Sequence, residues 1–124
     1  MTRWIVDGMN VIGSRPTGWW RDRPGAMREL VEELKAFAER SGDPVTVVLD
    51  GKPFHLEGGD HVTVQFASRR GRNAADDDIA ALVESDDEPA ELSVVTSDSD
   101  LARRVGDGGA TVVGAGNFRR RLEG

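Results

Sequence analysis

Three apolar runs in this chain end, or nearly end, in aspartate. They are Ile5-Val6-Asp7-Gly8, Val47-Val48-Leu49-Asp50-Gly51 and Val94-Val95-Thr96-Ser97-Asp98, with Asp100 two residues beyond the third. A fourth acidic group, Asp76-Asp77-Asp78, opens a stretch whose apolar residues have helical spacing. Taken singly, each aspartate suits a turn or a helix N-terminus. Gathered at one point they repel, and crowded carboxylates stay ionised only when a cation sits among them. Carboxylate-only ligation suits a hard divalent ion, Mg²⁺ or Mn²⁺. Such an ion polarises a phosphoryl oxygen and activates water. Asp7, Asp76 and Asp98 lead this set. Asp77, Asp50 and Asp100 lie close to them in sequence or at equivalent positions.

Polar residues beside the acids extend the pattern. Asn10 stands just past the first run and offers an amide to a phosphate or to water; it also suits a turn. Ser97 and Thr96 can orient Asp98, cap the helix that follows, or donate to a phosphate. The cations are nearly all arginine and come in clusters. Arg69, Arg70 and Arg72 immediately precede the Asp76 helix, so they flank the acids, and arginine's planar fork matches phosphate. Trp19 and Trp20 lie in the segment after the first run, where they can stack bases or pack on a helix. His55 and His61 have no partner at metal spacing.

The elements that must position these groups follow from periodicity. Residues 3–7, 45–49, 61–66, 92–96 and 110–113 read as strands. Pro24 opens a helix capped by Asp22 or Arg23, with Met27, Leu30, Val31, Leu34, Phe37 and Ala38 on one face and Gly42 at its end. Helices also start at Ala74 and at Ser97 or Asp98, and Phe118 to Leu122 forms a last turn. Gly8 ends the first strand, and residues 13–23 read as loop. Strands alternating with helices, with nearly continuous apolar central strands, give an α/β fold with a mostly parallel sheet covered on both faces. Sites in such folds lie beyond the carboxyl ends of the strands. Asp7, Asp50 and Asp98 stand at such ends, and Asp76 begins a helix on the same edge.

Composition narrows the class. The 124 residues are expected to form one domain, 1–124. The formal net charge is −6, which fits a protein that visits nucleic acid better than one that coats it. There is no cysteine, so disulfides and cysteine-based zinc sites are excluded. No targeting segment or membrane span is expected, and the absence of cysteine fits a cytoplasmic setting.

The motifs resemble a known family. Asp7-Gly8-Met9-Asn10-Val11-Ile12 is similar to the DGxNVI opening of NYN-domain proteins of the YacP-like branch, in the PIN-like nuclease superfamily. Ala75-Asp76-Asp77-Asp78-Ile79 resembles its ADDxI segment, and Val94-Val95-Thr96-Ser97-Asp98 its VVTSD segment. Gly109-Ala110, Phe118 and Leu122 resemble its C-terminal region, while Ala74 stands where the family often has Thr. The resemblance implies a Rossmann-like, PIN-like three-layer fold with a five-stranded sheet of order 3-2-1-4-5. It implies a Mg²⁺- or Mn²⁺-dependent endoribonuclease acting in RNA processing or decay. By motif, Asp7, Asn10, Asp76 and Asp98 are then the catalytic set, and Asp7, Asp76, Asp98 and Asp77 the metal ligands. Asp50, Asp100 and Ser97 are additional candidates, and Arg69, Arg70 and Arg72 grip RNA. The superfamily often adds a carboxylate from a helix after the first strand, for which Glu29, Glu32 and Glu33 are candidates.

The rival reading keeps the fold without turnover, as an RNA- or ribosome-binding adaptor. Phosphatase or receiver chemistry also places acids at strand ends. The first needs an acid at position 9, which is Met, and the second a lysine near the last strand, whereas the lysines are Lys35 and Lys52. The sequence does not choose between a monomer and a homodimer.

Overall fold

The computed structural model describes residues 1–71 and 73–123. Arg72, one of the three arginines assigned to RNA, lies outside the described residues. The first strand, β1 (Arg3–Asp7), runs straight into a short helix, α1 (Gly8–Gly13). A 3₁₀ turn at Trp19–Arg21 leads to α2 (Arg23–Ser41), then β2 (Val45–Leu49) and β3 (Val62–Phe66). α3 (Ala74–Glu84), a 3₁₀ turn at Pro89–Glu91, β4 (Leu92–Val95), α4 (Ser99–Asp107), β5 (Thr111–Val113) and α5 (Ala115–Glu123) complete the chain. The five strands lie in the order β3-β2-β1-β4-β5, and all four pairings are parallel. This is the expected 3-2-1-4-5 sheet. Among the described residues no helix is long and apolar enough to cross a membrane.

Successive side chains on a strand point to opposite faces, and here that parity sorts the core into two halves. Trp4, Val6, Val47, Leu49 and Val95 pack with α1, α2 and α5. Ile5, Val48 and Val94 pack with α3 and α4. The sheet is therefore the middle of three layers. The first half centres on three aromatic rings: Trp4 lies 5.5 Å from Phe37 and 5.1 Å from Phe118, and those two are 5.2 Å apart. The Trp4 indole N–H donates to Asp43 Oδ2 at 3.0 Å, so its polar end is also satisfied.

α2 forms for the reasons its sequence states. The Asp22 carboxylate accepts from Gly25 N at 3.0 Å, proline sits in the first turn, and Gly42 closes the helix with φ of 77°. Two expectations change. Gly8 does not break the chain into a loop but starts α1, so Asp7 is both the last strand residue and the residue before a helix. The last element is also a nine-residue helix rather than a single turn.

Gly8 is required for space. A Cβ there would stand 2.5 Å from Leu49 Cδ2, 3.0 Å from Val47 Cγ2 and 3.1 Å from the Val48 carbonyl oxygen. Leu49 and Val47 are fully buried and cannot retreat freely. Gly8→Ala is therefore expected to destabilise the protein by ~1–3 kcal/mol, the usual range for overpacking, read as a lower urea midpoint at an unchanged m-value.

Candidate active site

The parity that sorts the core also aims the acids. Asp7 shares the face of Ile5, and Thr96 continues the face of Val94, so both belong to the α3–α4 side at the carboxyl edge of the sheet. Asp7 is only 5 % exposed. The Thr96 hydroxyl donates to Asp7 Oδ2 at 3.0 Å and accepts from the Asp98 backbone N–H at 3.1 Å. One buried threonine thus ties Asp7 to the start of α4. Asp98 caps that helix, its Oδ1 accepting from Leu101 N at 2.9 Å. Asp50 does the same service for α3, accepting from Ala75 N at 3.2 Å.

Asp76 lies within electrostatic reach of Asp7, Asp50 and Asp98, and Asp7 within reach of Asp50. Burial pushes the Asp7 carboxyl up to about 6, the Thr96 hydrogen bond opposes this, and the charges of Asp76 and Asp50 raise it further. Asp76 is also raised, first by burial and then by Asp98, Asp50 and Asp77, with Arg104 acting against them. Asp76, Asp77, Asp98 and Asp100 line one cleft of about 360 Å³ together with Arg69, Arg103 and Arg104. Asn10 reaches the same edge from α1, its Oδ1 accepting from Ser97 N at 2.7 Å. The Ser97 hydroxyl accepts from Ala115 N at 2.9 Å, which fastens the start of α5 to the acid edge.

Other residues take different positions. Both oxygens of Asp77 are engaged by arginines, Oδ2 by Arg69 and Oδ1 by Arg104, the latter at 3.0 Å. Arg104 and Arg69 hold its carboxyl below the usual range. Asp100 is exposed and faces Arg103 at 3.6 Å. Arg70 is exposed on the loop before α3. The helix that directly follows β1 is α1, Gly-Met-Asn-Val-Ile-Gly, which carries no acid. Glu32 pairs with Lys35, while Glu29 and Glu33 line a separate cavity. None of these three joins the acidic cleft. Arg103 and Arg104 form one of the arginine clusters of the sequence but carry no role in its reading; they lie on α4, whose N-cap is Asp98, and line the acidic cleft. Asp78, the third acid of the triplet, has a structural place. It accepts from the Ser68 N–H at 2.6 Å and its hydroxyl at 2.7 Å, which pins the Arg69 loop to α3.

A family model described as the YacP-like NYN domain matches residues 4–124. The chain belongs to the YacP-like NYN domain family. It is thereby a member of a PIN-like nuclease family, whose domains generally use divalent metals. It is similar to the crystal structure of Rae1 (YacP) from Bacillus subtilis, with a TM-score of 0.82 and 24 % identity, over 99 % of this chain and 74 % of that one. The W164L mutant of that protein gives a TM-score of 0.81 and 25 % identity, over 99 % and 76 % of the two chains. No curated protein sequence matches significantly.

The donor set of this YacP-like domain suits a divalent ion in its chemistry but not in its present geometry. The oxygen chemistry fits: Asp7, Asp76, Asp98 and Asp50 are hard ligands, coupled through their charges and partly shielded from water. As the side chains stand, no three acidic groups among the described residues converge tightly enough to enclose an ion. Two of the four have an oxygen committed to a helix N-terminus and Asp7 has one committed to Thr96. Closing on an ion therefore takes side-chain rotation.

Asp7 makes a pH signature. Between pH 3.8 and about 6 the folded chain keeps a proton on Asp7 that the unfolded chain has lost. Stability therefore falls as pH rises through that window, by at most ~3 kcal/mol. Asp7→Asn keeps an acceptor for Thr96 and removes the charge. In chelator at pH 7.5 it is expected to raise Tm by several degrees, and to flatten the Tm–pH curve between pH 4 and 7. A Tm below the parent's at pH 7.5 would refute the strain at Asp7.

Proposed function

We propose that the protein is a divalent-metal-dependent endoribonuclease that hydrolyses RNA phosphodiesters in RNA processing or decay. The observation that carries this reading is the cleft in which Asp76 and Asp98 face Arg69, Arg103 and Arg104, at the sheet edge where the buried Asp7 lies within electrostatic reach of Asp76 and Asp50. Asp7, Asp76 and Asp98 would hold Mg²⁺ or Mn²⁺, with Asp50 a further candidate ligand. Such an ion, when bound, would supply positive charge to a phosphate and lower the pKa of water.

The chain's own residues do the rest. Thr96 and the two helix caps fix the backbone positions of the acids. Asn10 has its carbonyl oxygen on Ser97, which leaves its NH₂ to donate to a phosphate oxygen. Arg69 and Arg104, both fixed on the shared Asp77, grip neighbouring phosphates, and the exposed Arg70 adds to that grip. Asp77 acts in this scheme through the two arginines. In-line attack by water breaks the bond to the leaving 3′-oxygen, which takes a proton, and the products are a 3′-hydroxyl and a 5′-phosphate.

One observation favours a second reading, the RNA- or ribosome-binding adaptor without turnover. It is the splay of the carboxylates as they stand. Cleavage and cation binding separate the two. Asp98→Asn retains a good N-cap, so α4 survives. The variant is expected to lose Mn²⁺-dependent cleavage of single-stranded RNA by at least ~100-fold, with a circular dichroism spectrum like the parent's. In the parent, Mn²⁺ is expected to raise Tm, and Asp98→Asn to blunt that rise. Undiminished cleavage by Asp98→Asn refutes the assignment. RNA binding with no turnover under any divalent ion makes the adaptor correct.

A further inference from the structure

A second cavity, of about 400 Å³, opens behind α1, walled by Ile12 and Arg15, by Trp19, by Glu29 and Glu33 of α2, and by Arg119 of α5. That volume lies in the range of ligand pockets. Among the described residues, two buried side-chain polar atoms lack a hydrogen bond, Glu33 Oε1 and Arg119 Nε. Both belong to this cavity. Arg15 Nη2 lies 2.8 Å from Glu33 Oε1, an ion pair outside hydrogen-bond geometry. Arg119 spends Nη1 on the Ser14 carbonyl at 2.6 Å, and its Nε is 3.8 Å from Glu123 Oε1. Buried polar groups are nearly always satisfied, so the Arg119 Nε–H left without a close acceptor, beside a Glu33 carboxylate held by an ion pair alone, points to a ligand that offers an acceptor to one and a donor to the other.

We propose that this cavity binds an unpaired guanine base of the RNA, as a specificity subsite for a nucleotide near the scissile one. The inference rests on the ribonuclease reading for its RNA, and its chemistry stands on the cavity. Three carboxylates face two guanidinium groups there, which disfavours a bare phosphate and suits a neutral base. Guanine presents two adjacent donors, N1–H and N2–H₂, which match the two oxygens of a carboxylate. On its other edge O6 and N7 match arginine's fork. Adenine, cytosine and uracil each lack at least the pair of adjacent donors. Arg15 is the side chain that turns aside to admit the base. Trp19 supplies an aromatic wall. Sequence-specific RNA recognition uses bases splayed out of the helix and read in this manner.

The position suits a neighbouring nucleotide. Asn10 and Ser97 stand at the acid edge, and Ala115 is bonded to Ser97. Arg119 follows Ala115 by one turn of α5, ~6 Å, and Arg15 follows Asn10 past the end of α1. A strand whose phosphate lies at Asp7 and Asn10 reaches the cavity by crossing α1.

The test uses the whole chain in chelator, so that no cleavage intrudes. Guanosine, inosine, adenosine and uridine 5′-monophosphates are titrated, followed by tryptophan fluorescence and by the Arg119 Nε–H resonance in ¹⁵N-labelled protein. Guanosine monophosphate is expected to bind and shift that resonance. Inosine monophosphate, which lacks the N2 amino group, is expected to bind about tenfold more weakly, and the other two more weakly still. Glu33→Gln is expected to lose about tenfold for guanosine monophosphate. Equal binding of the four nucleotides, an unmoved Arg119 signal, or unchanged affinity in Glu33→Gln overturns the subsite. Should Glu33→Gln not fold, the guanosine–inosine comparison on the parent decides. Guanosine binding by a chain that never cleaves RNA keeps the subsite and sinks the nuclease reading. Cleavage with no guanine preference in binding does the reverse.

Discussion

A carboxylate that is 5 % exposed, with other carboxylates in electrostatic reach, is a cost the fold must carry. Asp7 cannot move away from it. It ends the central strand, its direction is set by the parity that buries Ile5 beneath α3 and α4, and α1 begins at the next residue. Everything around Asp7 limits that cost without removing it. Thr96 donates to it, and Asp98 and Asp50 are turned partly toward helix N-terminal amides, where their charge is tolerated. Strain of this kind concentrates at functional sites and is sustained by the rigid sheet behind it.

The local balance of charge resolves an apparent conflict. A chain of net charge −6 is a poor host for a polyanion unless its cations are placed with care. Arg69 and Arg104 come from different elements, the loop before α3 and the middle of α4, and meet on Asp77. That shared carboxylate neutralises part of their charge but fixes both guanidinium groups at the rim of the acidic cleft. Fixed donors lose less entropy on gripping a phosphate than free ones do. Asp77 belongs to the same acidic triplet as Asp76, yet one helix step of 100° separates a residue coupled to Asp98 and Asp50 from one that faces arginines.

Much of this was legible in the sequence because it follows from short-range patterns. The strands are β-branched runs, α2 carries its cap, its proline and its terminal glycine, and strand-end acids fall on one edge in a parallel sheet. α1 was not legible. Six residues, Gly-Met-Asn-Val-Ile-Gly, contain no periodic polar face and no capping side chain, and they become a helix because Val11 and Ile12 are buried against α2 and α5. The pairing of Asp77 with Arg104 depends on how α3 packs on α4, which no spacing within either helix encodes. Thr96 could have been found more sharply: two residues from Val94, it had to share the face of Ile5 and Asp7.

α1 does more than join a strand to a turn. Gly8 lets it lie against β2 with no room for a methyl group, so its axis is fixed to the sheet. One end then carries Asn10 to the Ser97 amide, and the other carries the Ser14 carbonyl to Arg119. α5 repeats the link from its own side, with Ala115 on Ser97 and Arg119 on Ser14. Three hydrogen bonds thus tie the two short helices, two of them meeting on Ser97 at the acid edge and one joining Arg119 of the second cavity to Ser14. Short helices tied to the sheet in this way hold their side chains in place without needing length of their own, since the hydrogen bonds at their ends replace the turns they lack.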